Sequence, residues 1–171
     1  AADANILAVT DQIKINDVLV GATILDSAQA KAAAINVVSA KSGVTATAST
    51  TVFLDLNFDA SANDASFEIN GTAIAVSSLN SVSDVAAAIN TADVGVVATA
   101  SAAGLLKLFD SGGKNITVDL LAPTSYVSAF TDGDNVITAI ASGMVGRGSI
   151  ELTSTDGGII KLTDSSATNA G

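Results

Sequence analysis

Residues 67–101 read FEINGTAIAVSSLNSVSDVAAAINTADVGVVATAS, and the order of signals in this stretch decides the fold. Phe67-Glu68-Ile69 alternates apolar and polar residues, the period of a half-buried strand. Asn70-Gly71 follows, and both residues tolerate positive φ, which predicts a tight hairpin. Ala73-Ile74-Ala75-Val76 then supplies the return strand. Ser81, with Asp84 three residues on, resembles a capping box in which Asp stands for the usual Glu. Val82, Val85, Ala86 and Ile89 fall on one helical face. Asn90 and Gly95 bracket the helix exit, and Val96 to Ala100 resumes β character.

The same order occurs earlier, as IKINDVLVGATILDSAQAKAAAINVVSAKSGVTATAS over residues 13–49. Ile15-Asn16 recurs as Ile69-Asn70, and Ala32-Ala33-Ala34-Ile35-Asn36 as Ala86-Ala87-Ala88-Ile89-Asn90, both 54 positions on. Leu25 and Ser27 match Leu79 and Ser81 in that register. Gly43 to Ser49 recurs 52 positions on as Gly95 to Ser101, so the intervening loop is two residues shorter in the second copy. A fixed offset of this kind is the mark of an internal repeat. The first copy departs at two places. Asp17 stands where Gly71 makes the turn, and Lys31 stands where Val85 faces the core. Lys31 is expected at the margin of the apolar face, with its stem buried and its ammonium in water.

The second copy continues from Gly104 to Val118 as strand, Gly112-Gly113 turn, strand. The first copy has no such continuation after Ser49, but residues 149–162 have the same form around Gly157-Gly158. The expected fold is therefore α+β: two related units of twisted antiparallel strands, each with a short helix, the second unit inserted into the first. The base unit would comprise residues 1–50 with 145–171, and the inserted unit 51–144. Gly143, Gly146 and Gly148 would mark a flexible return between them. One continuous sheet through the whole chain is the alternative.

Composition narrows the function. The chain has 171 residues, 49% of them hydrophobic, enough apolar material for a core. It has no His and no Cys, which removes the commonest general base, thiol nucleophiles and thiolate metal sites. Seventeen acids against seven bases give a net charge of −10, which disfavours nucleic acid and anionic membrane surfaces. No apolar run reaches the roughly 20 residues of a transmembrane helix. The start, Ala1-Ala2-Asp3-Ala4-Asn5, has neither an initiator Met nor a signal peptide, and reads as a fragment or a processed product.

The two copies resemble the flagellin IN motif: an extended segment ending in Ile-Asn and a turn, an Ala-rich helix ending in Ala-Ile-Asn, and a Gly-Val-x-Ala strand. The motif belongs to the variable central regions of flagellins and also occurs in the filament cap protein. The resemblance implies the solvent-facing outer region of a bacterial flagellin. It implies a structural and antigenic role in motility, an extracellular place along the filament, and other flagellin subunits as partners. It implies no enzyme activity and no cofactor. Complete flagellins carry long heptad-patterned helices at both ends, and nothing here sustains such heptads. The fragment alone is therefore expected to be a monomer, and to leave the innate-immune receptor that reads the helical core inactive. Flagellins often carry O-linked sugars on exposed Ser or Thr; this chain has plenty of both, so the resemblance leaves O-glycans as an option here, at sites the sequence does not select. The alternatives are a filament cap domain and an adhesin or sugar-binding module.

Other signals have plainer readings. Asp132-Gly133-Asp134-Asn135 spaces oxygen ligands as calcium loops do, but the twelfth position from Asp132 is Gly143, so it reads as an acidic turn. Asp110, Asp156 and Asp164 also read as turn residues. Asn70-Gly71-Thr72 and Asn115-Ile116-Thr117 match the N-glycosylation pattern, with Asn70 better explained by the hairpin. Gly143 to Gly148 lacks the Gly-Lys-Ser/Thr ending of a phosphate loop. An acid pair for glycoside hydrolysis remains an option that few aromatics support. Phe130 with Tyr126 is the one aromatic cluster that an adhesin could expose. No catalytic, cofactor or metal residue is assigned.

Overall fold

A computed structural model describes residues 7, 13–58, 66–76, 79–122, 126–133, 135–137 and 142–164. In chain order the elements are β1 (Ile13–Ile15), β2 (Val18–Leu19), α1 (Ala28–Val37), α2 (Ser39–Ser42), β3 (Val44–Leu56), β4 (Ser66–Ile69) and β5 (Thr72–Ala75). They continue as α3 (Val82–Ala92), β6 (Val97–Ala100), β7 (Leu106–Asp110), β8 (Ile116–Ala122) and β9 (Val127–Asp132). The last are β10 (Asn135–Ile137), β11 (Met144–Gly146), β12 (Ser149–Ser154) and β13 (Leu162–Asp164). The fold is mixed α+β. Every strand pairing among the described residues is antiparallel.

The chain forms two compact units, one of Ala1–Ser49, Gly112–Lys114 and Gly148–Gly171, the other of Thr50–Ser111 and Asn115–Arg147. β3 belongs to both. It runs without a break through Ser49 and Thr50, because TATASTTVFLDL is mostly β-branched and apolar and contains no Gly, Pro or Asn.

In the first unit β1 pairs β2 across the Asn16-Asp17 turn and pairs β13 on its other side. Val44–Ser49 of β3 pairs β12, with Ala46 opposite Leu152 and Ala48 opposite Ile150. Alternation sorts the faces. Thr45, Thr47, Glu151 and Thr153 are exposed, whereas Val44 and Ala46 are buried. Helix α1 starts at Ser27, whose Oγ accepts the Ala30 N–H at 3.3 Å, and buries Ala28, Ala32 and Ile35. Lys31 lies half-buried at the margin of that face, and α1 contributes only small residues plus Ile35. The core is correspondingly small: Ile15, Val20, Ala32, Ile35, Val44 and Ala46.

The second unit holds a sheet ordered β11-β8-β4-β5 and one ordered β10-β9-β3-β7-β6. Helix α3 is capped by Ser81, which accepts the Asp84 N–H at 3.2 Å and donates to the Asp84 carboxylate at 2.7 Å. It buries Val85, Ala86 and Ile89, with Val82 packed partly against them. Phe67, Ile69, Leu106, Leu108 and Phe130 fill the same core at no more than 1% exposure. Each such side chain contributes about 1.5–3 kcal/mol relative to exposure, so this unit carries most of the hydrophobic stabilisation.

The flexible return expected at Gly143–Gly148 is instead partly strand. β11 pairs β8, with Met144 opposite Val118 and Gly146 opposite Ile116. Its reason is packing: Met144 is buried, and Gly146 has no side chain because Val52 Cγ2 occupies the place a Cβ would take. Val52 is fully buried and stiff at χ1, so it cannot swing aside. We expect Gly146→Ala to destabilise the chain by about 1–3 kcal/mol in urea denaturation. An unchanged midpoint would show that this contact does not constrain the fold.

Candidate functional site

The polar groups that converge best in this chain are four asparagines, two from each copy of the repeated stretch. Asn36 sits at the last turn of α1. Its Nδ2 donates to the Ala46 carbonyl at 2.8 Å, and the Ala46 N–H donates to its Oδ1 at 2.8 Å. Asn90, in the last turn of α3, does the same to Ala98, again at 2.8 Å for both bonds. Ala46 and Ala98 are both buried. Each Asn amide therefore serves as a one-residue strand partner for the backbone of the strand that follows its helix.

The other pair sits in the hairpins. Asn16 and Asp17 adopt φ of 50° and 63°, and Asn70 and Gly71 adopt 52° and 76°. Two successive positive φ values make the turn whose twist suits a two-residue hairpin. Asn16 Nδ2 donates to the Ser42 carbonyl at 2.7 Å, and its Oδ1 accepts the Lys161 N–H at 2.9 Å. Asn70 Nδ2 donates to the Val94 carbonyl at 3.0 Å, and its Oδ1 accepts the Thr117 N–H at 3.0 Å. The backbone N–H of each Asn returns a bond to the carbonyl of Lys161 or Thr117. Each turn Asn thus joins three places: its hairpin, a later strand or the residue just ahead of it, and the segment that follows the helix.

The helix-exit asparagines also close sheet edges. In an antiparallel ladder, opposed residues alternate between exchanging hydrogen bonds and pointing their backbone groups away. Because Ala46 and Ala98 give their N–H and C=O to Asn36 and Asn90, they point away from their strand partners. They would otherwise be open edge positions, and β6 is the edge strand of its sheet.

The remaining sequence signals separate cleanly. The register of β9 on β10 places Gly133 in a turn, with φ of 58°, and the Asp132 carboxylate accepts the Arg147 N–H at 2.8 Å. Asp134 and the side chain of Asn135 lie outside the described residues. Asp156 closes its own turn by accepting from Ser154 Oγ at 2.7 Å and the Gly158 N–H at 2.9 Å; these bonds hold its carboxyl below the usual range. Asp110 ends β7 and Asp164 ends β13. Asn115 is half-buried ahead of β8. Among the described residues no three His, Cys, Asp or Glu side chains gather as a metal site would need, and no helix is long and apolar enough to cross a membrane.

A cleft of about 180 Å³ is lined by Asp93 and Asp110, with Phe109 as its aromatic wall. Lys107 Nζ lies over one face of that ring, 5.2 Å from its centroid. The pair an adhesin would have to expose, Phe130 with Tyr126, is not a surface patch. Both are buried, Phe130 opposite the fully buried Leu54 of β3. Tyr126 stacks on Phe67 at 6.3 Å and meets the edge of Phe58 at 5.7 Å. The chain matches no protein-family profile and no curated protein.

Removing Asn90 strands a buried N–H and C=O, so Asn90→Ala should cost about 2–4 kcal/mol by chemical denaturation. Asn90→Asp keeps an acceptor but sets a carboxylate against the Ala98 carbonyl. Protonation relieves this, so the folded pKa is raised and the variant should gain stability as pH falls through that value. A variant whose loss is the same at pH 3 and pH 7 would contradict the clamp. Burial raises the Tyr126 pKa from 10.0 to about 12. Its contribution is complete below pH 10 and lost as pH rises toward 12. Tyr126 is the single tyrosine of the chain, so tyrosinate absorbance should appear late and together with unfolding. A simple titration near pH 10 in the folded protein would refute this.

Proposed function

We propose that this chain is a structural surface module, the outer region of a bacterial flagellar filament protein. It consists of two related units, the second (residues 51–144) inserted into the first (1–50 with 145–171). The observation that carries the reading is the pairing of asparagine clamps. Asn16 and Asn70, and Asn36 and Asn90, stand 54 residues apart and make the same bonds. Their targets, Ser42 and Val94, Ala46 and Ala98, stand 52 apart, the offset of the shortened loop. These are the asparagines on which the resemblance to the flagellin IN motif rests. The Lys161 and Thr117 contacts extend the match to the two strand tails.

The role is mechanical and colloidal. The module spaces the filament surface from its core, presents hydroxyl-rich strand faces such as Thr45, Thr47 and Thr153 to solvent, and repels its neighbours through net negative charge. Exposed hydroxyls of this kind suit O-linked glycans. The partners are other flagellin subunits, and the place is outside the cell.

Antibody raised against this chain should label the whole shaft of the flagellum in immunogold electron microscopy. Label confined to the tip would replace this reading with a filament cap domain. Absence from flagella would overturn both and move a surface adhesin to the front. The isolated chain should scatter light as a monomer at all concentrations tested, and a concentration-dependent oligomer would count against the assignment.

A further inference from the structure

The first unit contains an apolar groove of about 230 Å³, lined among others by Ile13, Ile15, Ile35, Ile150 and Leu152, with Lys31 as its one charged residue. The same positions of the second unit are solid core. Ile69, Ile89 and Val85, the counterparts of Ile15, Ile35 and Lys31, have no exposed surface, and neither do Leu106 and Leu108, which correspond to Ile150 and Leu152. The second unit reaches this state because Val52 and Leu54 of β3 pair along β7, opposite Leu108 and Leu106. Among the described residues no strand pairs with the corresponding edge of β12.

That edge is competent to bind. Ala46 directs its backbone groups at Asn36, so Leu152 directly opposite also points its N–H and C=O away from β3. Ile150, two residues earlier, points the same way. These two residues thus present an outward ladder above an apolar floor.

Charge selects the occupant. Ten of the 17 acids but only two of the seven bases lie in the second unit, which leaves that unit at −8 and the first at −2. Lys31 has no ion pair among the described residues. It lies toward the Ile150 end of the groove. Gln29, two residues before it, donates its N–H to the Gly113 carbonyl, and Gly113 abuts Ala48, the partner of Ile150.

We infer that the first unit binds an extended peptide segment by strand addition along β12, with apolar residues at alternate positions entering the groove and a carboxylate on the same face pairing with Lys31. The second unit's own β3 is the template for that occupant. Backbone bonds to Ile150 and Leu152 would hold the strand, and the floor and Lys31 would set its sequence.

The test uses the full chain and a fluorescent, end-capped peptide of residues 49–57, STTVFLDLN, carrying Leu56→Glu so that the new carboxylate shares a face with Val52 and Leu54. Anisotropy should show saturable binding below ~1 mM. Hydrogen exchange at the amides of Ile150 and Leu152 should be fast in the free chain and slowed by the peptide. Lys31→Glu should weaken binding about tenfold, and a Leu56→Lys peptide should recover it. Lys31 lies at the margin of its helix, so this variant should fold, which its circular dichroism will check. Absence of saturable binding would overturn the proposal. Equal affinity of the two peptides for Lys31→Glu would overturn it as well. So would slow exchange at both amides in the free monomer, which would mean the chain covers its own edge. Protection that appears only with dimerisation would assign the edge to a second copy instead.

Discussion

A carboxamide can imitate a peptide group, and this protein rests on that equivalence. Asn36 and Asn90 each offer one acceptor and one donor at the spacing a neighbouring strand would offer. The strand after each helix has its hydrogen bonds completed at its buried alanine on the side where no strand pairs with it. Helix and strand are thereby locked in register through two bonds rather than through large interlocking side chains. This matters in a chain with five Phe, one Tyr and no Trp, where small residues cannot enforce register by shape. The alanines on both sides of the clamp follow from it. Close approach of helix to strand needs a short side chain on each, and Ala32, Ala46, Ala86 and Ala98 supply it.

The hairpin asparagines extend the same principle over longer range. A residue with positive φ at a turn is already committed conformationally, so its side chain loses little further freedom when it bonds elsewhere. Asn16 and Asn70 use this to reach strands distant in sequence and the loop after the helix. Hairpin, helix exit and tail strand then meet on one amide. The two units differ mainly in what surrounds this frame. In the second, Val85 and the strands β3, β9 and β11 complete a dense interior. In the first, Lys31 replaces the apolar residue, and the frame stands with a much thinner core.

Much of the frame was legible in sequence because its signals are local. Asn70-Gly71 reads as a turn from two residues. Ser81 reads as a cap from four, and the buried face of α3 reads from its spacing. The clamps were not legible. An Asn at a helix end is an unfavourable helix residue with several possible uses, and its target lies eight or ten residues on, across a loop. Repetition of Ala-Ile-Asn signalled that the residue matters without saying what it touches. β11 was missed because glycine was read as freedom, whereas Gly146 is glycine to make room for Val52. The burial of Phe130 and Tyr126 was not legible either, because two aromatics in a threonine- and serine-rich stretch carry no sign of which way the strand faces.

The clamp also bears on how the protein ages. An Asn followed by Gly is the dipeptide most prone to lose its amide nitrogen, since the next backbone nitrogen can attack the side-chain carbon. Asn70 is followed by Gly71, while Asn16 is followed by Asp17, whose side chain hinders that attack. In Asn70 the amide is held from both ends, by the Val94 carbonyl and the Thr117 N–H, and the bonds that make it structural also restrain the side chain from swinging toward Gly71. The lifetime of the chain is thus tied to its foldedness. Each transient opening of that hairpin exposes the second copy to a chemical clock that the first copy runs more slowly.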